Sequence, residues 1–131
     1  MLTGSCLCGA VAYQADAIIE RIVHCHCQTC RKTHGTAFSS VAAVPREKFQ
    51  WLRGQEHLAA IESSPGKFRR FCSRCGSHIM AERGAQPIVL LRLGCLDTPV
   101  TGIPQVHIWR SDSAPWYDPK QQFAEKAEGL T

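Results

Sequence analysis

Hydrophobic and polar residues alternate along the chain in short runs, and turn formers interrupt them every few positions. Over residues 9–15, Ala10, Ala12 and Gln14 fall on one side of an extended backbone and Val11, Tyr13 and Ala15 on the other. That is the period-two pattern of a strand. Residues 21–25, 37–44, 57–61, 67–71, 77–81, 88–93 and 106–109 read as further strands. Residues 27–33 read as a helical turn, Pro45 opens a short helix over 45–49, and 119–128 reads as a terminal helix. Many short strands with little helix predict an all-β chain of small packed antiparallel sheets. With no repeat or linker between them, the expectation is a single domain over residues 1–131.

Composition narrows this picture. The hydrophobic share of 44% is that of an ordinary globular protein. Residues 1–6 lack the basic and apolar regions of a signal peptide, and no run approaches the roughly 18 apolar residues of a membrane span. The expected setting is cytoplasmic, without a membrane partner, where thiols stay reduced. The formal net charge is +4. The pairs Arg31-Lys32 and Arg69-Arg70 are too short for a basic tract and read as solvated surface, so no nucleic-acid partner is expected.

The chemistry lies in the cysteines. Seven of the eight form three tight groups: Cys6 and Cys8, then Cys25, Cys27 and Cys30, then Cys72 and Cys75. Such spacings suit a shared metal better than a disulfide framework. The run Cys72-Ser73-Arg74-Cys75-Gly76 reads as a zinc knuckle, with Gly76 free to take a positive φ. Cys6 and Cys8, two residues apart on an extended backbone, point to one side and form its natural partner. These four would close a structural zinc site linking the N-terminus to the middle of the chain.

Cys25, Cys27 and Cys30 offer three thiolates from six consecutive residues, enough to cap one face of a second zinc ion. Two zincs per chain are therefore expected. Seven thiolates outweigh the four positive charges of two zincs by three, which brings the formal charge to about +1. A fourth ligand to the second ion is not evident. Cys95 either fills that position or is a buried free thiol. His24 and His26 either stand as satisfied polar residues beside the site or supply an acid. A zinc with three thiolates is a poor Lewis acid, but it can take an external thiol as thiolate, which then adds to an aldehyde.

Three stretches resemble the glutathione-dependent formaldehyde-activating enzyme family: Gly4-Ser5-Cys6-Leu7-Cys8-Gly9-Ala10-Val11, His24-Cys25-His26-Cys27-Gln28-Thr29-Cys30-Arg31-Lys32 and Phe71-Cys72-Ser73-Arg74-Cys75-Gly76. Gly94-Cys95-Leu96-Asp97, His107-Ile108-Trp109, Ser111, Pro115 and Trp116 extend the likeness over residues 4–118. The resemblance implies a zinc-stapled, Mss4-like β-tent fold. It implies a structural zinc on Cys6, Cys8, Cys72 and Cys75 and a second zinc on Cys25, Cys27 and Cys30. It also implies the joining of glutathione and formaldehyde, classed as a carbon–sulfur lyase reaction. On this reading Cys25, Cys27, Cys30 and His26 carry the catalysis, with a small thiol and a small aldehyde as partners. A thiol-binding or carrier module without catalysis, and a purely structural two-zinc domain, are the competing readings.

Overall fold

A computed structural model describes residues 1–130. Its strands are β1 (Leu2–Ser5), β2 (Ala12–Ala15), β3 (Ile22–Cys25), β4 (Ser39–Pro45), β5 (Phe49–Arg53), β6 (Leu58–Ser64), β7 (Lys67–Cys72), β8 (His78–Arg83), β9 (Ile88–Arg92) and β10 (Gln105–Ile108). One α-helix, α1 (Gln28–His34), stands between β3 and β4. The smaller sheet runs β1-β2-β5, and the larger runs β10-β3-β4-β9-β8-β7-β6. All neighbours pair antiparallel except β10 and β3, which are parallel. The all-β expectation therefore holds.

The alternation read from the sequence builds the core. Val11, Tyr13 and Ala15 from the small sheet meet Val44, Ile79, Met80, Val89 and Leu91 from the large one. Tyr13 is fully buried and stacks on Phe49 with ring centroids 5.1 Å apart, while Trp51 meets its edge at 6.4 Å. Burying such side chains stabilises by about 1.5–3 kcal/mol each. Cys6 and Cys72 belong to the same cluster, so the core continues into the first cysteine group.

The structure corrects several boundaries. Residues 119–128 form no helix, and 120–128 stay exposed. The segment has helix-favouring Lys, Gln, Glu and Ala, but its one large apolar residue, Phe123, is 48% exposed, and an unpacked short helix is marginal in water. The strand expected over 9–15 begins at Ala12, because residues 7–10 turn. The expected helix over 45–49 shrinks to one 3₁₀ turn at Arg46–Lys48, and Phe49 opens β5. Strands β1 and β5 were not foreseen. No described helix is long and apolar enough to cross a membrane.

The turn before β2 packs closely on the end of β5 at Gly54. Its φ is +81°, and an added Cβ would collide with the Ala10 carbonyl. Beside it, Arg53 donates from Nε and Nη2 to the Gly9 carbonyl at 3.1 and 3.0 Å. Gly54→Ala is expected to destabilise the fold by at least about 1–3 kcal/mol, read as a lowered Tm in thermal unfolding.

Candidate metal centres

The first cysteine group is assembled by two turns. The Cys6 amide donates to the Val11 carbonyl at 3.0 Å, and the Val11 amide donates to Cys6 Sγ at 3.3 Å. Opposite, the Gly76 amide donates to the Cys72 carbonyl at 2.7 Å, and Gly76 takes the expected positive φ of 80°. Ser77 joins the turns: its Oγ accepts from the Leu7 amide at 2.9 Å and lies 3.3 Å from Cys75 Sγ. The sulfurs of Cys6, Cys8, Cys72 and Cys75 all fall within 4.8 Å of one another. Cys6 and Cys8 Sγ are 3.6 Å apart, and Cys8 and Cys72 Sγ are 3.9 Å apart. A tetrahedral ion with metal–sulfur bonds near 2.3 Å needs edges of about 3.8 Å, so this set fits a closed metal site.

Four thiols this close do not ionise alike. Hydrogen bonds from Ser77 hold Cys75 down at about 5. The Ala10 amide pulls Cys8 down, but burial and the thiols of Cys6, Cys75 and Cys72 outweigh it and push Cys8 up to about 11. A cation removes this conflict by letting all four become thiolates.

The second group sits where β3 runs into α1. Cys25 ends β3 and pairs with Ser39 of β4 and Ile108 of β10. Cys27 caps α1, its Sγ accepting from the Cys30 amide at 3.3 Å. The sulfurs of Cys25, Cys27 and Cys30 lie within 4.8 Å of one another, and no fourth His, Cys, Asp or Glu of the described residues joins them. Burial pushes the Cys25 thiol up to about 12, with Cys30 adding repulsion. Burial also raises Cys30, but Ser39, Arg69 and Cys27 overcome it and hold that thiol at about 7.

Two arginines flank this group, and neither is a surface charge. Arg69, read from the sequence as solvated, is only 2% exposed. It donates from Nε to Ser63 Oγ at 2.8 Å and from Nη2 to Cys30 Sγ at 3.6 Å. Arg92 is 5% exposed and feels the charges of Cys30, Cys25 and Cys27. A cleft of about 460 Å³ opens at Cys27, lined also by Lys67, Arg69, Arg83 and Trp109. Burial lowers the Lys67 ammonium below its usual range, and Arg69 and Arg92 lower it further. Trp109 carries the one positive φ among the described non-glycine residues, +58°.

Cys95 does not complete the second group. Its Sγ donates to the His78 carbonyl at 3.2 Å, and the thiols whose charge it feels are Cys6 and Cys75 of the first. It is half-buried rather than buried. His26 is fully buried, with Nε2 2.8 Å from His107 Nδ1 and its ring beside Phe38. Burial and the charges of its neighbours lower its pKa, and it does not line the Cys27 cleft. His24 is engaged by Ser40 at 2.8 Å and Gln105 at 2.6 Å. Lys67, in the cleft, is the candidate that motif reading missed, since a lone lysine in a strand carries no spacing signal.

Comparison with known proteins follows this geometry. The family profile described as glutathione-dependent formaldehyde-activating enzyme matches residues 1–112. A Colletotrichum graminicola protein provisionally given that name is 34% identical over 100 residues, covering 76% of this chain and 46% of the relative. One from Phaeosphaeria nodorum is 33% identical with the same coverage. The chain thus spans about half the length of the curated relatives it matches. A crystal structure of a Rhodobacter sphaeroides protein superposes with a TM-score of 0.65 at 20% identity, covering 79% of this chain and 99% of that one, which shows a shared fold.

Two outcomes follow. Cys72→Ala, at a fully buried position of the four-cysteine group, is expected to abolish the folded circular-dichroism signal, whereas Cys27→Ala is expected to keep it and lose one metal equivalent by native mass spectrometry. His34 is held down at about 3 by burial and by Arg92, His78, Arg69 and Lys67. Below its ordinary 6.5 the unfolded chain takes up a proton that the folded chain refuses, so stability falls as pH drops from 6.5 toward 3. The His34 ring should show no titration by NMR between about pH 7.5 and 4.5, and His34→Gln should flatten the acid limb of the stability profile.

Proposed function

The chain belongs to the glutathione-dependent formaldehyde-activating enzyme family, and from that premise we propose that it is an enzyme adding a small thiol to a small aldehyde. Glutathione and formaldehyde are the pair the family description names, and the reaction is of the carbon–sulfur lyase class. The observation that carries this reading is a group of three thiols without a fourth protein donor, opening at Cys27 onto a cationic cleft. A cytoplasmic setting, where thiols stay reduced, suits it.

All-thiolate donor sets with tetrahedral spacing suit zinc, held structurally by Cys6, Cys8, Cys72 and Cys75 and again by Cys25, Cys27 and Cys30. When bound at the second set, zinc supplies a fourth position that draws a thiol and lowers its pKa. The flanking residues favour the same ligand. Arg69 donates to Cys30 Sγ and disperses charge from the ligands, and with Arg92 it offsets the negative charge of three thiolates. An anionic reactant is then preferred over a neutral one. Lys67, Arg69 and Arg83 draw an anionic thiol into the cleft.

The balance of the reaction is simple. The thiol proton leaves to solvent, the sulfur lone pair forms the carbon–sulfur bond, and the carbonyl π pair moves onto oxygen. That oxygen then needs a proton. Lys67 is placed in the cleft to donate it, and an ammonium with a lowered pKa is the better acid. We assign to Lys67 the proton donation expected of His26, whose amide donates to the Ile108 carbonyl at 3.0 Å and whose Nε2 lies 2.8 Å from His107 Nδ1.

Exchange NMR of glutathione and formaldehyde, with and without protein, tests the reading. Adduct exchange should be faster with the metal-loaded protein and fall to the uncatalysed rate in Cys27→Ala. Lys67→Gln should cut the rate roughly 100-fold or more, beyond any loss of thiol affinity. Glutathione binding without any acceleration would replace the enzyme by a carrier module.

A further inference from the structure

A second cavity, also of about 460 Å³, lies at the other end of α1. Thr33, His34 and Ser39 line it on the side of Cys30, and Gly76 and Cys95 on the side of the first cysteine group; His78 and Arg92 also face it. Buried side-chain nitrogens and oxygens without a hydrogen-bond partner are few among the described residues, and His78 Nδ1, Arg92 Nε and Arg92 Nη2 are among them. All three belong to residues lining this one cavity. A buried donor without an acceptor is costly, and such groups gathered at one cavity point to a missing partner.

The chemistry of that partner can be read from the wall. No carboxylate lines the cavity, and Arg92 makes no ion pair. Burial and the nearby arginines lower the pKa of both His34 and His78, and Arg92 is the permanent cation that lines the cavity. Nε and Nη2 form the edge of a guanidinium that grips the two oxygens of a carboxylate side by side. The thiolates of the second group offset the charge of Arg92 but leave this edge without an acceptor: the sulfur-bound guanidinium is that of Arg69. Both nitrogens are closed to bulk water, so docking includes a small parting of the wall.

We propose that this cavity is a carboxylate-binding subsite, closed on Arg92, for a reactant held at the Cys25–Cys27–Cys30 group. This rests on the proposed function, because the carboxylate is assigned to one of its two reactants. It belongs either to the thiol, as in glutathione, or to an aldehyde that bears an acid group, as in glyoxylate.

The test begins with metal-loaded, unmodified protein titrated with acetate and followed by NMR at the Arg92 Nε–H and the His78 ring. Saturable shifts at both are expected, and no shift at either overturns the proposal whether or not any variant folds. Affinities are then compared for glutathione against 2-mercaptoethanol and for glyoxylate against formaldehyde, in the unmodified protein, Arg92→Gln and Arg92→Lys. The carboxylated member of one pair should lose about 10–100-fold more affinity than its carboxylate-free counterpart in Arg92→Gln, and less in Arg92→Lys. A loss confined to glutathione assigns the subsite to the thiol, and one confined to glyoxylate assigns it to the aldehyde. An acetate response with no selective loss in either pair overturns the link to the reactants and hence the proposal. Absence of any thiol binding with acetate shifts intact would instead sink the enzyme reading alone.

Discussion

Repulsion between crowded thiols is the constraint on which the rest of this structure turns. Four sulfurs from chain segments more than sixty residues apart converge within 4.8 Å at one site, and three more converge at a second. Neither group can ionise fully by itself, as the opposed pKa directions of Cys75 and Cys8, and of Cys30 and Cys25, make plain. A cation satisfies both. Bound at the first group, it would tie the small sheet to the large one across a core that already includes Cys6 and Cys72. At the second group the protein adds its own cations, and this is where the two sites part: one is sealed by four donors, the other is left electrically inviting.

The cysteine groups were legible in the sequence because ligand spacing is a local property. Cys27 capping α1, Cys25 ending β3 and Gly76 turning with positive φ all depend on neighbours within a few residues. The main alternation was legible for the same reason, since period two survives whatever the partner strand. Strand β1 was not, because Leu2-Thr3-Gly4-Ser5 has weak strand preference and is held by distant partners: its register with β2, and the Thr98 hydroxyl that accepts from the Thr3 amide at 2.8 Å. The reverse error, a helix over 119–128, came from propensity without a surface to pack on.

The arginines illustrate a deeper limit. Phe68-Arg69-Arg70-Phe71 alternates in a way that puts one arginine on each face of β7, yet nothing local says which face is buried. Arg70 meets Glu82 at 3.2 Å in an ordinary partly exposed ion pair. Arg69 turns inward because Cys30 lies there, 39 residues earlier in the chain but adjacent in space. Charge in a core reads as an anomaly in sequence and as a counter-ion in structure. The same holds for His26, whose position beside two ligands suggested chemistry but whose ring is packed against His107 and Phe38.

The parallel pairing of β10 with β3 has a meaning in time. Cys25, Cys27 and Cys30 leave the ribosome together, but the strand that braces them, with Ile108 opposite Cys25, is made about eighty residues later. At about 5–20 residues per second that interval lasts on the order of several seconds. Through it the three thiols stand on a nascent chain as an unbraced chelating loop, able to take up metal or to be oxidised before the fold closes. Cys6 and Cys8 wait a similar interval for Cys72 and Cys75. The order of synthesis therefore makes metal supply and thiol protection during translation, rather than the finished fold, the stage at which this protein is most vulnerable.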